Sequence, residues 1–256
     1  MNQSDKARIF SSLHVKGKPF LLYNAWDAGS AKAIADAGAK AIATSSWSVA
    51  AAQGYKDGEA IPVDLVEKIV ARITDSVNLP VTVDFEGGYS DDDKKLGENV
   101  TRLLKLGVIG INFEDRVVQG SGLYTAERQA KRISAIRDVA DKLGINLFIN
   151  ARTDVFFLQG ASDESVAEAL TRAKVYSQAG ASGLFIPGLT DAALIKRIVL
   201  GTELPVNVMI MDGIPSTDRL QDCGIARISY GPIPFIESMN VLKENAKNAL
   251  AEQVSV

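Results

Sequence analysis

An α/β fold closed as a single-domain (β/α)₈ TIM barrel is what this sequence predicts, on three observations. Short apolar runs that read as strands alternate with longer segments of helical periodicity along the whole chain. Glycine recurs where helices should end, at Gly38, Gly107, Gly144, Gly180 and Gly224; the last four are spaced 37, 36 and 44 residues apart, and the first gap of 69 fits two units. That spacing suits strand–helix repeats and is too long for hairpins. No Pro/Gly/Ser-rich linker interrupts the alternation.

Residues 1–18 read as a helical lead-in. The strands then follow as PFLLYNAWD from Pro19, AIATSS from Ala41, LPVTVDFE from Leu79, VIGINFED from Val108, NLFINART from Asn146, GLFIPG from Gly183, PVNVMI from Pro205 and IARISYG from Ile225. Each precedes a segment that can be helical. The helix beginning near Thr125 places Ala130, Ile133, Ile136, Val139, Ala140 and Leu143 on one face, with Thr125 as N-cap. The helix beginning near Ser162 does the same with Val166, Ala169, Leu170 and Ala173. Parallel strands buried on both faces close naturally as a barrel, and residues 233–256 form a C-terminal helix and tail. An open doubly wound sheet is the alternative; against it, no G-x-G-x-x-G follows the first strand, and GGYSDD at Gly87 lacks that spacing.

With 256 residues, 46% hydrophobic and 23% charged, the chain can bury a sizeable core. A formal net charge of −3 with both signs interspersed leaves no basic stripe, which argues against nucleic acid or a membrane surface as partner and for a small molecule. Cys223 is the sole cysteine and His14 the sole histidine, excluding an internal disulfide, a cysteine-rich zinc site and a serine/histidine triad. Cys223, late in a helix, reads as buried and inert, and His14 as structural, on the face away from the strand ends. MNQSDKARIF carries no signal-peptide run, and no segment of about 18 uncharged apolar residues occurs, so the expected compartment is cytoplasmic. No predicted strand ends in lysine, which argues against a Schiff-base aldolase.

Three strands end in polar pairs at i and i+2: Asp84/Glu86, Asn112/Glu114 and Asn150/Arg152. Residues two apart on a strand share a face, so adjacent strands would gather three carboxylates, two amides and a guanidinium at the C-terminal rim, where barrel enzymes keep their sites. Two unit charges about 5 Å apart at an effective dielectric near 20 repel by roughly 3 kcal/mol. Acids so placed share protons or hold a cation, and the all-oxygen donors Asp84, Glu86 and Glu114 select Mg²⁺ or Mn²⁺ over zinc. The fork of Arg152 suits bidentate capture of a carboxylate or phosphonate, with an ion pair to Asp154 or Glu114 as the alternative. Ser45, Ser46 and Trp47 end the second strand, where backbone N–H groups and hydroxyls can cradle an anion. Asp57, in QGYKDGE, reads by itself as a turn residue.

Together these residues resemble the isocitrate lyase/phosphoenolpyruvate mutase superfamily over residues 20–232. The resemblance is closest in LLYNAWDAGSAKAIADAGAKAIATSSWSVAAAQGYKDGE and continues through DFEGGY, FEDR and ARTD in the family's order, with the D-x-E form of the lyases at Asp84 and Glu86. It implies a Mg²⁺ site with Asp84 as direct ligand and Asp57, Glu86 and Glu114 acting largely through water. It also implies a catalytic set of Arg152, Glu114 and Asp57. Substrate binding then falls to Ser45, Ser46, Trp47, Asp84, Arg152, Tyr23 and Asn150. A homotetramer or homodimer is implied too, with the C-terminal helix exchanged between subunits.

The departures from the family shape the function. The lyases carry Lys-Lys-Cys-Gly-His in a mobile loop after the FED strand, whereas VVQGSGLYTAER, from Val117 to Arg128, has no Cys, Lys or His; the lysine and asparagine of the mutases are missing as well. Retro-aldol cleavage needs an acid for the departing enolate, for which only Tyr124 or water on the metal is at hand. Decarboxylation of a 3-carboxy-2-oxo acid asks less. The expectation is a Mg²⁺-dependent carbon–carbon lyase acting on a small 2-oxo or 2-hydroxy dicarboxylate through a metal-stabilised enolate, oxaloacetate decarboxylase-like or methylisocitrate lyase-like. The alternatives are P–C bond chemistry of the phosphonopyruvate type and a non-catalytic 2-oxo acid binding protein.

Overall fold

β-Branched apolar runs and capped amphipathic segments fold here as their alternation demands. The computed structural model describes residues 1–253; the end of the expected tail, 254–256, lies outside the described residues. In chain order the elements are α1 (Gln3–Ser12), β1 (Phe20–Leu22), β2 (Asn24–Ala25), α2 (Ala28–Asp36), β3 (Ile42–Thr44), α3 (Ser46–Ala52), α4 (Val63–Ser76), β4 (Val81–Asp84), α5 (Asp93–Lys105), β5 (Gly110–Glu114), α6 (Ala126–Lys142), β6 (Phe148–Arg152), α7 (Val155–Gln159), α8 (Asp163–Gln178), β7 (Gly183–Phe185), α9 (Ala192–Gly201), β8 (Val206–Met209), α10 (Thr217–Asp222), β9 (Arg227–Ser229) and α11 (Ile233–Gln253). Thr125 and Ser162 cap α6 and α8, accepting hydrogen bonds from the N–H groups of Arg128 and Ser165. All five glycines read as helix terminators take positive φ, between 68° and 99°, the left-handed conformation that ends a helix without a Cβ penalty.

Every strand pairing is parallel, in the order β1-β9-β8-β7-β6-β5-β4-β3-β2, a nearly closed barrel with its helices outside. Eight strands were expected and nine form, because the first divides at Tyr23: Leu22 pairs with Ser229 on one side, and Asn24 with Ala43 on the other. The Asn24 amide bridges this seam. Its Nδ2 donates to Thr44 O (2.7 Å), and its Oδ1 accepts from the N–H groups of Tyr230 (3.0 Å) and Gly231 (2.9 Å).

Outward-facing Val83, Ile111, Ile149, Leu184, Val206 and Ile228 pack against the helices as one continuous apolar core. Inside, the N-terminal mouth is plugged by α1 and the turn after it. The rings of Phe10 and His14 pack on Phe148 at 5.4 and 3.9 Å between centroids. Leu143, expected on the buried face of α6, is instead 41% exposed at the helix C-cap, while the polar Gln129 and Arg132 lie buried on that face. From Ile236 to Ala251, α11 runs exposed, with little packing on its own barrel. No helix among the described residues is long and apolar enough to cross a membrane.

Candidate active site

The polar strand ends lie side by side. Asp84 is in register with Asn112, Asn112 with Asn150, and Glu114 with Arg152. Since β4, β5 and β6 end at Asp84, Glu114 and Arg152, these side chains surround one end of the barrel. Two adjoining cavities occupy that rim. One, of about 370 Å³, is lined by Ser45, Trp47, Asp84 and Asn112 among others; the second, of about 310 Å³, by Glu86, Glu114 and Val118. Ser46, Asp57, Arg116 and Arg152 line both.

Asp84 is held from three sides. Its Oδ2 accepts from the Ser46 N–H (3.1 Å) and Oγ (2.8 Å), its Oδ1 from Asn112 Nδ2 (3.2 Å), and its own N–H donates to Thr44 Oγ1 (3.0 Å). Behind it, Asn112 Oδ1 accepts from Asn150 Nδ2 (2.9 Å) and Arg227 Nη2 (3.1 Å). Arg227 is wholly buried on the barrel axis, where desolvation pushes its guanidinium down to about 9 against the opposing pull of Asp84. Sequence reasoning passed over Arg227; the signal was a charged residue two places before Ser229, inside an apolar strand.

Glu86 breaks the strand alternation. Its φ of 49° is left-handed, as are those of Glu59 (57°) and Tyr89 (60°), a conformation uncommon in residues with a Cβ. The three interlock: Glu86 Oε2 accepts from Glu59 N–H (2.7 Å), Glu59 Oε1 from Tyr89 N–H (2.7 Å), and Glu86 Oε1 from Tyr89 Oη (3.3 Å). Burial, reinforced by Asp57 and Asp84, pushes the Glu86 carboxyl up to about 8. Burial, partly opposed by Arg152, also pushes Glu114 up to about 8, with Asp154, Asp84 and Glu86 acting the same way. Asp57, whose Oδ1 lies 3.4 Å from Ser46 Oγ, is raised by burial and by Asp84.

Arg152 makes both of the ion pairs foreseen for it. Nε and Nη2 grip Asp154 at 2.6 and 2.9 Å, and Nη1 meets Glu114 at 3.0 Å. Its bidentate face is therefore occupied by the protein. Tyr23 is not brought to the rim: Leu22 and Asn24 face inward, so Tyr23 turns out beside Leu21, Ile34 and Tyr230 in a separate groove. Asn150 is buried beneath the site, supporting Asn112 and lining neither cavity. Tyr124 also turns away, its hydroxyl donating to Asp91 in a side cavity, where burial and then Asp91 push it up to about 12. His14 lies at the opposite mouth, and Cys223 is buried at the C-cap of α10.

Among the described residues, no three carboxylates converge tightly enough to ligate one ion together. The donor chemistry nevertheless fits a hard cation that retains several waters: hard oxygens only, crowded enough to raise one another's proton affinity, around an Asp84 whose carboxylate is fixed in place.

The model of the phosphoenolpyruvate phosphomutase family matches residues 10–250. An uncharacterised protein of Mycobacterium tuberculosis is 32% identical over 88% of this chain and 83% of its own length. The 2-methylisocitrate lyase of Escherichia coli K12 is 27% identical over 99% of this chain and 87% of its own. Among solved structures, a candidate phosphonomutase of Burkholderia cenocepacia J2315 is 45% identical, with a TM-score of 0.92 over 95% of this chain and 99% of that one.

Proposed function

Because the chain belongs to the phosphoenolpyruvate phosphomutase family, we propose that it is a carbon–carbon bond lyase acting on a small 2-oxo or 2-hydroxy dicarboxylate, with oxaloacetate decarboxylation as its simplest reaction. Mg²⁺ is the cofactor of this reading, with Asp84 as its direct ligand and Asp57, Glu86 and Glu114 reaching it through water. When bound, it supplies Lewis acidity toward the oxygens of the 2-oxo acid.

The observation that carries the reading is the flap from Val117 to Leu123, which borders an acid-rich cavity through Val118 and brings no Cys, Lys or His to it. Retro-aldol cleavage of a 2-hydroxy acid in the lyases relies on an acid carried by this flap for the departing enolate, and here the flap supplies none, Tyr124 pointing elsewhere. Decarboxylation needs no such acid. Breaking the C3–C4 bond of oxaloacetate leaves its electron pair in the enolate and releases CO₂, and a solvent proton at C3 completes pyruvate. Ser45, Ser46 and Trp47 receive the substrate's 1-carboxylate at the start of α3. Arg152, fixed by Asp154, offers the N–H groups not already paired. The exposed apolar side chains of α11 support a homodimer or homotetramer.

A second reading, P–C bond chemistry on a phosphonopyruvate-like substrate, is favoured by the 45% identity to the candidate phosphonomutase. It needs a nucleophile or phosphoryl stabiliser at the rim, for which this chain offers Arg152 and Ser121. A panel of oxaloacetate, 2-methylisocitrate, isocitrate, 2,3-dimethylmalate and phosphonopyruvate, each with EDTA and with Mg²⁺ restored, separates the readings. Pyruvate from oxaloacetate above the protein-free Mg²⁺ rate supports decarboxylation. Phosphate or phosphoenolpyruvate from phosphonopyruvate replaces it with the second reading.

A further inference from the structure

Of the arginines around the rim, all but one are spent on the protein. Arg152 is gripped by Asp154 and Glu114, Arg172 by Asp115 and Glu168, Arg128 by Asp93, and Arg132 by the carbonyls of Gly87 and Ser90. Arg116, the residue after the buried Asp115, makes no ion pair or side-chain hydrogen bond among the described residues, yet it lines both rim cavities and the side cavity of about 250 Å³ next to them. It also stands at the base of the flap. Arg116 and Leu123 form an antiparallel bridge, Val117 N–H donates to Gly122 O (3.1 Å), and Tyr124 N–H donates to Asp115 O (2.8 Å).

We propose that Arg116 is the receptor for the substrate's second carboxylate and the residue that sets a preference for dicarboxylates over 2-oxo monocarboxylates. The inference rests on the 2-oxo acid reading above and adds to it a named specificity residue. The side chains lining the space leave that place to Arg116. The one other cation among them, Arg152, is shared with Asp154 and Glu114. In the reading above Mg²⁺ and Arg152 answer the reacting end of a dianion, and an unpaired guanidinium gives up no protein contact when it turns to the other carboxylate. Because Arg116 begins the flap, an anion bound on it also fixes the flap's near strand, tying recognition of the far end of the substrate to cover over the reacting end.

The test compares wild type, Arg116→Ala and Arg116→Lys, with Mg²⁺ present, for oxaloacetate and for pyruvate, which lacks only the second carboxylate. Binding is read by stopped-flow quenching of tryptophan emission before turnover, Trp47 lying in the cavity wall. Arg116→Ala is expected to weaken oxaloacetate by about ten-fold or more and to leave pyruvate within about two-fold, with partial recovery in Arg116→Lys. Equal loss for both acids, or unchanged oxaloacetate binding, overturns the role of Arg116 and leaves the 2-oxo acid reading standing. A wild-type protein quenched by neither acid overturns the reading itself, and the inference with it.

Discussion

The Asp84 carboxylate is fixed at the rim by three donors. It accepts from a helix N–H, a hydroxyl and an amide, and behind the amide stands the buried charge of Arg227. Asp84→Asn keeps the shape and removes the charge. The expected result is a fall in kcat of about 10²–10³-fold with little change in Tm, measured by pyruvate release and thermal melting; unimpaired turnover removes Asp84 from the mechanism. His14 gives a stability experiment free of the site. Burial, with the charge of Arg227, pushes it down from 6.5 to about 3, so between those values the unfolded chain takes up a proton that the folded chain refuses. Stability is therefore lost as pH falls through that window. Urea midpoints at about pH 7 and about pH 4.5 should differ less in His14→Phe than in wild type. At this scale the i, i+2 spacing held for Asn112/Glu114 and Asn150/Arg152, which lie on β5 and β6, but not for Asp84/Glu86, because β4 ends at Asp84 and Glu86 reaches its cavity from a left-handed turn. The sequence did not reveal how they pair, since Asp154, two residues after Arg152, takes the guanidinium fork; the outward turn of Tyr23 follows from simple alternation with the inward Leu22 and Asn24.

Among the elements, the turn from β4 into α5 is the most tightly packed approach to the site. Gly88 has a φ of 81°, and a Cβ there would collide with Leu96 Cδ1 and come within 3.1 Å of Phe113 Cε2. Gly88→Ala combines a left-handed penalty with overpacking, and a loss of about 2–4 kcal/mol is expected from urea unfolding. An unchanged midpoint would show that α5 yields easily. The same turn explains what periodicity missed on α6. Arg132 and Gln129 look like solvated-face residues, but the carbonyls of Gly87 and Ser90 and that of Glu114 lack strand partners and take their donors from this helix. Caps and glycine stops were legible because they depend on local geometry. These buried polar contacts join residues 15 to 45 positions apart and leave no periodic trace.

At the scale of the whole molecule, α11 is the element its own chain does not accommodate. Val241, Leu242 and Leu250 are each about 60% exposed, and Ile236 and Met239 lie on the same helix. Light scattering is expected to give two or four times the chain mass, and Val241→Asp with Leu242→Asp to give a single chain with the barrel still folded; a monomeric wild type would contradict the assembly. The barrel itself was readable from repeat spacing, whereas its seam was not, because β2 is two residues long and one side chain takes over where its ladder stops. Asn24 is thus the clasp on a bracelet. With it undone, the ladders of β1 to β9 and of β2 to β3 still hold the ring, but Thr44 O and Gly231 N–H lose this partner at the lip, and the bracelet is left slack at its one joint.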